Sequence, residues 1–142
     1  QVPDKTMLRN WTAFNYFQKG IAMIFNGQEV GASHLAQLFE KDPIQWQTDM
    51  DDSAFLRRLS DIRRDPIFAD STYTVQALNR EILLAQHEKN GCRMIGVFSV
   101  RGQAGMVDVG IPNGTYENLL GGTVEVHEGK FATLGQPIII KV

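Results

Sequence analysis

Gly20-Ile21-Ala22-Met23-Ile24-Phe25-Asn26-Gly27 is the stretch on which the reading of this chain turns. Five consecutive apolar residues between two glycines match a strand buried on both faces of a parallel sheet, since such strands show no polar alternation. Upstream, Asp4 is placed to cap a helix whose apolar residues Met7, Leu8, Trp11, Phe14 and Phe17 recur at helical spacing, and Gly20 stops it. Downstream, Asn26 to Met50 is long, irregular and rich in Gly, Ser, Gln and Asp. Loops of that length inside a folded domain are usually functional or disordered. A second helix is predicted over Ser53 to Arg64, with Phe55, Leu56, Leu59 and Ile62 on one side. Asp51 and Asp52 favour its start, and Asp65-Pro66 ends it. One buried-type strand between two helices cannot satisfy its own backbone groups, so this part reads as a piece of a larger α/β unit.

Near residue 70 the period falls to two. Tyr73, Val75 and Ala77 alternate with polar residues, Ile82 to His87 is an apolar-rich run, and Lys89-Asn90-Gly91 signals a hairpin into Cys92 to Val100. Further turns at Gly102 to Gly105, Pro112-Asn113-Gly114, Gly121-Gly122 and His127 to Lys130 separate short strands that end with Ile138 to Val142. The pattern predicts an antiparallel β-sandwich of about seven strands, with Val75, Ile82, Leu84, Ile95, Val97, Val107, Val109, Leu119 and Ile139 in its core. The expected class is α+β: a helix–strand–loop–helix unit over residues 1–68, then an independently folding all-β domain over residues 69–142.

Composition narrows the function. Hydrophobic residues make up 43%, charged residues 21%, and the formal charge is −2, with no Lys/Arg cluster to grip nucleic acid. The longest apolar runs are too short for a helix to cross a bilayer, so neither nucleic acid nor membrane is an expected partner. Cys92 is the lone cysteine, which excludes an intrachain disulfide and reads as a small buried hydrophobe on a strand. His34, His87 and His127 are scattered without ligand spacing. Asp42, Asp49, Asp51 and Asp52 lack the regular spacing of a calcium loop, and helix capping accounts for the last of them. No metal or cofactor is expected.

Lys19 to Gly31 resembles the segment around the eighth barrel strand of α-amylase-family glycoside hydrolases, where an apolar strand leads into a Gly-Gln-Glu turn, here Gly27-Gln28-Glu29. Leu38 to Trp46 is similar to the loop after that strand, Phe55 to Pro66 to the eighth barrel helix, and the β segment, with Tyr116 to Gly122, to the family's C-terminal domain. Many members carry Pro where this chain has Ala22. The resemblance implies a (β/α)8 barrel remnant followed by a β domain, from an enzyme that cleaves or transfers α-glucosidic bonds in α-glucans or maltooligosaccharides. It places the catalytic carboxylates at the ends of barrel strands four, five and seven, which this chain does not carry, so the chain alone is expected to be inactive and has no candidate catalytic residue.

The resemblance also makes Asn26, Gln28 and Glu29 candidate sugar-pocket residues, since barrel enzymes place their sites at the C-terminal ends of strands. Trp46 is a candidate to stack on a sugar ring. The plainer reading of Glu29 is a carboxylate that orders its own turn, and of Trp46 an aromatic packed on its own domain. A different class, a carbohydrate-binding or structural β module, requires exposed aromatics on the β domain. Of Tyr73, Phe98, Tyr116 and Phe131 only Tyr116, beside a turn, is placed for that. The apolar face of residues 8–25 further predicts either self-association or collapse onto the β domain.

Overall fold

The computed structural model describes residues 4–32, 37–46 and 48–142; His34 lies outside them. Asp4 adopts an extended backbone and its carboxylate accepts the Met7 N–H at 2.8 Å, starting α1 (Lys5–Phe17) as expected. A 3-10 turn follows at Gln28–Val30. Then come α2 (Ser53–Arg63), a short α3 (Ile67–Asp70) begun by Pro66, and eight strands among the described residues: β1 (Thr72–Ala77), β2 (Ile82–Lys89), β3 (Cys92–Ser99), β4 (Gly105–Asp108), β5 (Gly114–Glu117), β6 (Thr123–Val126), β7 (Lys130–Thr133) and β8 (Ile138–Lys141). Where about seven strands were expected, eight are found among the described residues.

The main sheet is antiparallel, ordered β1-β2-β3-β8, and two short ladders, β4-β7 and β5-β6, stand apart from it. Lys89 pairs with Cys92 across a two-residue turn in which Asn90 and Gly91 have φ of 52° and 81°. Both central residues of such a turn need positive φ, which is why Asn-Gly announces it.

Alternation along the central strands divides the core in two. Ile82, Leu84, Ile95, Val97, Ile138 and Ile140 face one way, onto Val107, Val109, Ile111, Val124, Val126 and Phe131 of the short ladders and their connections. Ala85, Met94, Phe98 and Ile139 face the other way, onto Ala13, Phe17, Leu59, Ile67 and Phe68 of the helices. The sheet is thus covered by strands on one face and helices on the other. Ile139 is a core residue as expected, but on the helix side, and Leu119 is half-buried against that same cluster. Cys92, expected to be buried, is exposed at the start of β3, and Val75 departs from expectation at 43% exposed. It pairs with Ala85 on the outermost strand, where the helical cover runs out.

The strand expected over 21–25 is not formed. None of the strands among the described residues pairs with it. The segment is bounded by Gly20 at φ 93°, exposes Ile21, Met23 and Phe25, and half-buries Ala22 and Ile24. The Met23 carbonyl accepts instead from the Asn15 amide at 2.8 Å. Trp11 is 44% exposed, whereas Phe14 packs on Phe98 with ring centroids 5.4 Å apart.

Three polar latches hold the helices to their surroundings. Asn10, fully buried, donates to the carbonyls of Thr6 and Gly135 and accepts from the Ser99 N–H. The Arg63 guanidinium donates to the carbonyls of Tyr16, Gln18 and Gly20, capping the end of α1 with positive charge. His87, also fully buried, is bonded on both ring nitrogens.

Candidate functional site

Asn26, Gln28 and Glu29 lie together in one tight turn after the extended segment. Gly27 and Gly31 bracket it in the left-handed region, at φ of 95° and 65°. The Glu29 carboxylate accepts the Gly27 N–H at 2.9 Å, a bond that lies within its own turn. Gln28 reaches back to α1 through Thr12 Oγ1 at 3.4 Å and accepts from the Phe25 N–H, also at 3.4 Å. Asn26 is exposed. The Glu29 carbonyl accepts the Asp52 N–H at 2.9 Å, tying the turn to the start of α2.

Asp52 is the electrostatic anchor beneath this turn. Its side chain is 7% exposed and receives Arg9 as a two-nitrogen fork, at 3.0 Å from Nε and 2.7 Å from Nη2, with Lys5 at 3.3 Å. Hydrogen bonding to Asp52 raises the Arg9 pKa further above its ordinary value, and the guanidinium also stacks over Phe55 at 5.1 Å. The helix-capping role expected of Asp52 falls to Asp51, whose carboxylate accepts from the Ser53 N–H and hydroxyl at 2.9 and 2.6 Å. Those bonds hold it below the usual carboxylate range. Asp52 was misread because a charge partner 43 residues away claims its oxygens, which local sequence cannot show.

Beside the turn is a recess of about 490 Å3 lined by Val30, Gly31, Ala32, Asp42, Pro43, Gln45 and Thr48. Thr48 Oγ donates to the Val30 carbonyl at 2.9 Å and fixes one wall. Trp46 adjoins this loop at 52% exposed but is not among the lining residues, and neither are Asn26, Gln28 and Glu29. Among the described residues no group of three or more His, Cys, Asp or Glu side chains could hold a metal ion.

Of the β-domain aromatics, Phe98 and Phe131 are buried. Tyr116 is half-buried against the core, and its hydroxyl donates to the Pro112 carbonyl at 2.8 Å. Ser71 and His87 are 2.6 Å apart and superficially resemble a nucleophile and its base. Both are buried, and His87 Nε2 lies 2.7 Å from the Phe17 carbonyl, which can only accept. Nε2 therefore carries the proton and the Ser71 hydroxyl donates to Nδ1, so the pair is structural. The rings of Phe17, Phe68 and Tyr73 surround it, with centroids 4.5 to 4.9 Å away. The absence of ligand spacing says nothing of this buried role for His87. Its parity with Ala85 on β2 was the available signal.

Residues 74–140 match the family described as the bacterial alpha amylase C-terminal domain, and this part of the chain is a domain of that family. Beyond that domain, the chain is similar along nearly its whole length to part of α-amylases. It is 23% identical to alpha-amylase 2 of Dictyoglomus thermophilum over 98% of its own length and 26% of that protein's. It superimposes on an α-amylase from Lactobacillus plantarum with a TM-score of 0.90 at 28% identity, covering 99% of this chain and 34% of that one. AmyP, solved in complex with maltotriose, shares the fold at a TM-score of 0.70 and 13% identity, over 97% of this chain and 35% of its own. The chain thus spans about a quarter to a third of the proteins it resembles.

Proposed function

We propose that residues 1–68 supply the last strand and flanking helices of a (β/α)8 catalytic barrel, and residues 69–142 its C-terminal β domain, in an enzyme acting on α-glucosidic bonds of α-glucans or maltooligosaccharides. The observation that carries this reading is the 21–25 segment. Three of its five apolar side chains are exposed, its backbone lacks a strand partner among the described residues, and an acidic turn follows it. Neighbouring parallel strands would satisfy both needs at once. Its place in the chain agrees with the near-complete superposition on part of an α-amylase.

In that setting Asn26, Gln28 and Glu29 stand at the mouth of the barrel, where Asn26 is presented outward to sugar while Glu29 braces the turn that presents it. Trp46 offers an aromatic edge beside the recess. Glycoside hydrolysis requires two carboxyl groups about 5 to 9.5 Å apart across the scissile bond. Among the described residues Asp42 is the one carboxylate lining the recess, and the reading takes the acid and nucleophile from other parts of the enzyme.

The test is complementation. Residues 1–142 alone are expected to release no reducing sugar from starch, and to restore turnover when co-expressed with a polypeptide carrying the rest of an α-amylase barrel. Turnover by residues 1–142 alone that is abolished by Glu29→Gln would place the chemistry in this chain and overturn the reading.

A further inference from the structure

Helix α1 turns two faces to its surroundings. Asn10, Ala13 and Phe17 lie against the main sheet and its core. Lys5, Arg9 and Thr12, spaced four and three apart and so neighbours on the helix surface, serve the 26–31 turn and the start of α2 instead. Two routes lead from this second face to the turn. In one, the Gln28 side-chain amide donates to Thr12 Oγ1 at 3.4 Å. In the other, Arg9 grips the Asp52 carboxylate at 2.7 and 3.0 Å, and the Asp52 N–H holds the Glu29 carbonyl at 2.9 Å. The routes are unequal, since the first is one long neutral bond and the second begins with a charge-assisted fork. Asp52 is buried, and among the described residues its carboxylate is paired with Arg9 and Lys5. Without Arg9 it would be left with Lys5 alone, and a buried carboxylate short of partners draws toward water. Its own N–H, and with it the Glu29 carbonyl, would be displaced too.

We propose, on the reading that this turn borders a sugar pocket, that Arg9 is a positioning residue: by compensating Asp52 it fixes the Glu29 carbonyl and so the place at which Asn26 is presented to substrate. Arg9 is not among the residues lining the recess, and it acts through Asp52 alone. Its guanidinium also lies over the Phe55 ring at 5.1 Å, so loss of packing is the competing account of any Arg9 variant. The two accounts differ in one consequence. If the stranded charge is what moves the turn, neutralising Asp52 undoes the loss of Arg9, because a pair removed together leaves no charge uncompensated. If packing on Phe55 is what matters, neutralising Asp52 restores nothing.

The test has two stages. In residues 1–142, Arg9→Ala should speed exchange of the Gly31, Ala32 and Asp52 amides, whose acceptors are the Gln28, Gly27 and Glu29 carbonyls, by about tenfold. The Ile95 amide in β3, which reports global opening, should change less. Adding Asp52→Asn should bring the turn amides back to within about threefold of the parent chain. Circular dichroism establishes that each variant is folded. In the enzyme reconstituted by co-expression, Arg9→Ala should raise KM for maltooligosaccharides by about tenfold at nearly constant kcat, and Asp52→Asn should again reverse it. Unchanged turn exchange in Arg9→Ala, or no recovery on adding Asp52→Asn, overturns the proposal. Asn26→Ala separates it from the reading on which it rests. A raised KM for Asn26→Ala beside an unchanged one for Arg9→Ala overturns the role of Arg9 alone, whereas an unchanged KM for Asn26→Ala overturns the pocket reading and this role with it.

Discussion

Replacing Asn10 with alanine should destabilise this chain far more than a helix-surface change would. The Asn10 amide donates to the Gly135 carbonyl at 2.8 Å and to the Thr6 carbonyl at 2.9 Å, while its oxygen accepts the Ser99 N–H at 2.8 Å. Alanine strands the Ser99 N–H at the end of β3 and the Gly135 carbonyl, each costing about 1–3 kcal/mol when buried without a partner. The Thr6 carbonyl loses little, since the backbone of α1 already uses it. Better helix propensity returns about 0.5 kcal/mol. The net loss is about 2–5 kcal/mol, against about 5–15 kcal/mol of total stability for a domain of ordinary size. Asn10→Asp keeps the shape but turns an oxygen on the Gly135 carbonyl, so it should cost at least as much at neutral pH. Urea unfolding followed by circular dichroism reads both. A change below about 0.5 kcal/mol for Asn10→Ala would mean that other contacts hold the 133–136 turn to α1, and the reasoning would fail.

Gly96→Ala should lower the melting temperature, because a Cβ there would lie 2.6 Å from the Phe98 ring and 3.1 Å from Phe17. Such overpacking costs about 1–3 kcal/mol, and an unchanged melting temperature would refute it. Burial lowers the His87 pKa below its ordinary 6.5; the Phe17 carbonyl opposes this, and Arg63 and Lys19 reinforce it. The unfolded chain therefore binds the proton more readily, so this contribution to stability is complete above about pH 6.5 and is lost as pH falls from there toward the folded pKa. His87→Gln should flatten stability between about pH 7 and about pH 5, and a wild-type curve already flat there would contradict the tautomer and burial argument. A polypeptide of residues 69–142 uncovers Met94, Phe98 and Ile139, worth about 1.5–3 kcal/mol each. It should keep β structure, bind a hydrophobic dye and lose its sharp transition; cooperative unfolding at the midpoint of residues 1–142 would refute this.

What the sequence disclosed was what is decided locally. The Asp4 cap, the Asn90-Gly91 hairpin and the alternation of Ile95 and Val97 each depend on residues within a few positions, and each is found in place. The helix-covered face was harder to see. Met94 and Phe98 alternate as regularly as their neighbours, but nothing in β3 says that α1 and α2 lie over them. Segment 21–25 looked like a strand because its side chains do, whereas a strand also needs hydrogen-bonded neighbours. Asn10 and His87 were passed over because polar residues are expected outside. Their partners lie 125 residues away at Gly135, and 70 at Phe17. The candidate turn was legible as Asn26-Gly27-Gln28-Glu29, but its support from Asp52 and Arg9 was not.

These long-range bonds have a mechanical consequence for the turn. Glu29 is bonded through its carbonyl to Asp52, Asp52 to Arg9 on α1, and α1 one residue later to the β sheet through Asn10. At its C-terminal end α1 meets the sheet again through Phe17 and His87, and meets α2 through Arg63. A helix fixed near its middle and at its C-terminal end cannot tilt without breaking a buried hydrogen bond at one of the two points, and each such bond is expensive to leave unmade. The position of the 26–31 turn is therefore referenced to the main sheet through α1 rather than left to the long loop that follows it. Two elements that sequence character divides near residue 70 are joined by side chains of Asn10 and His87. In an enzyme whose sugar pocket includes that turn, the β domain would thereby act as the support against which one wall of the pocket is set.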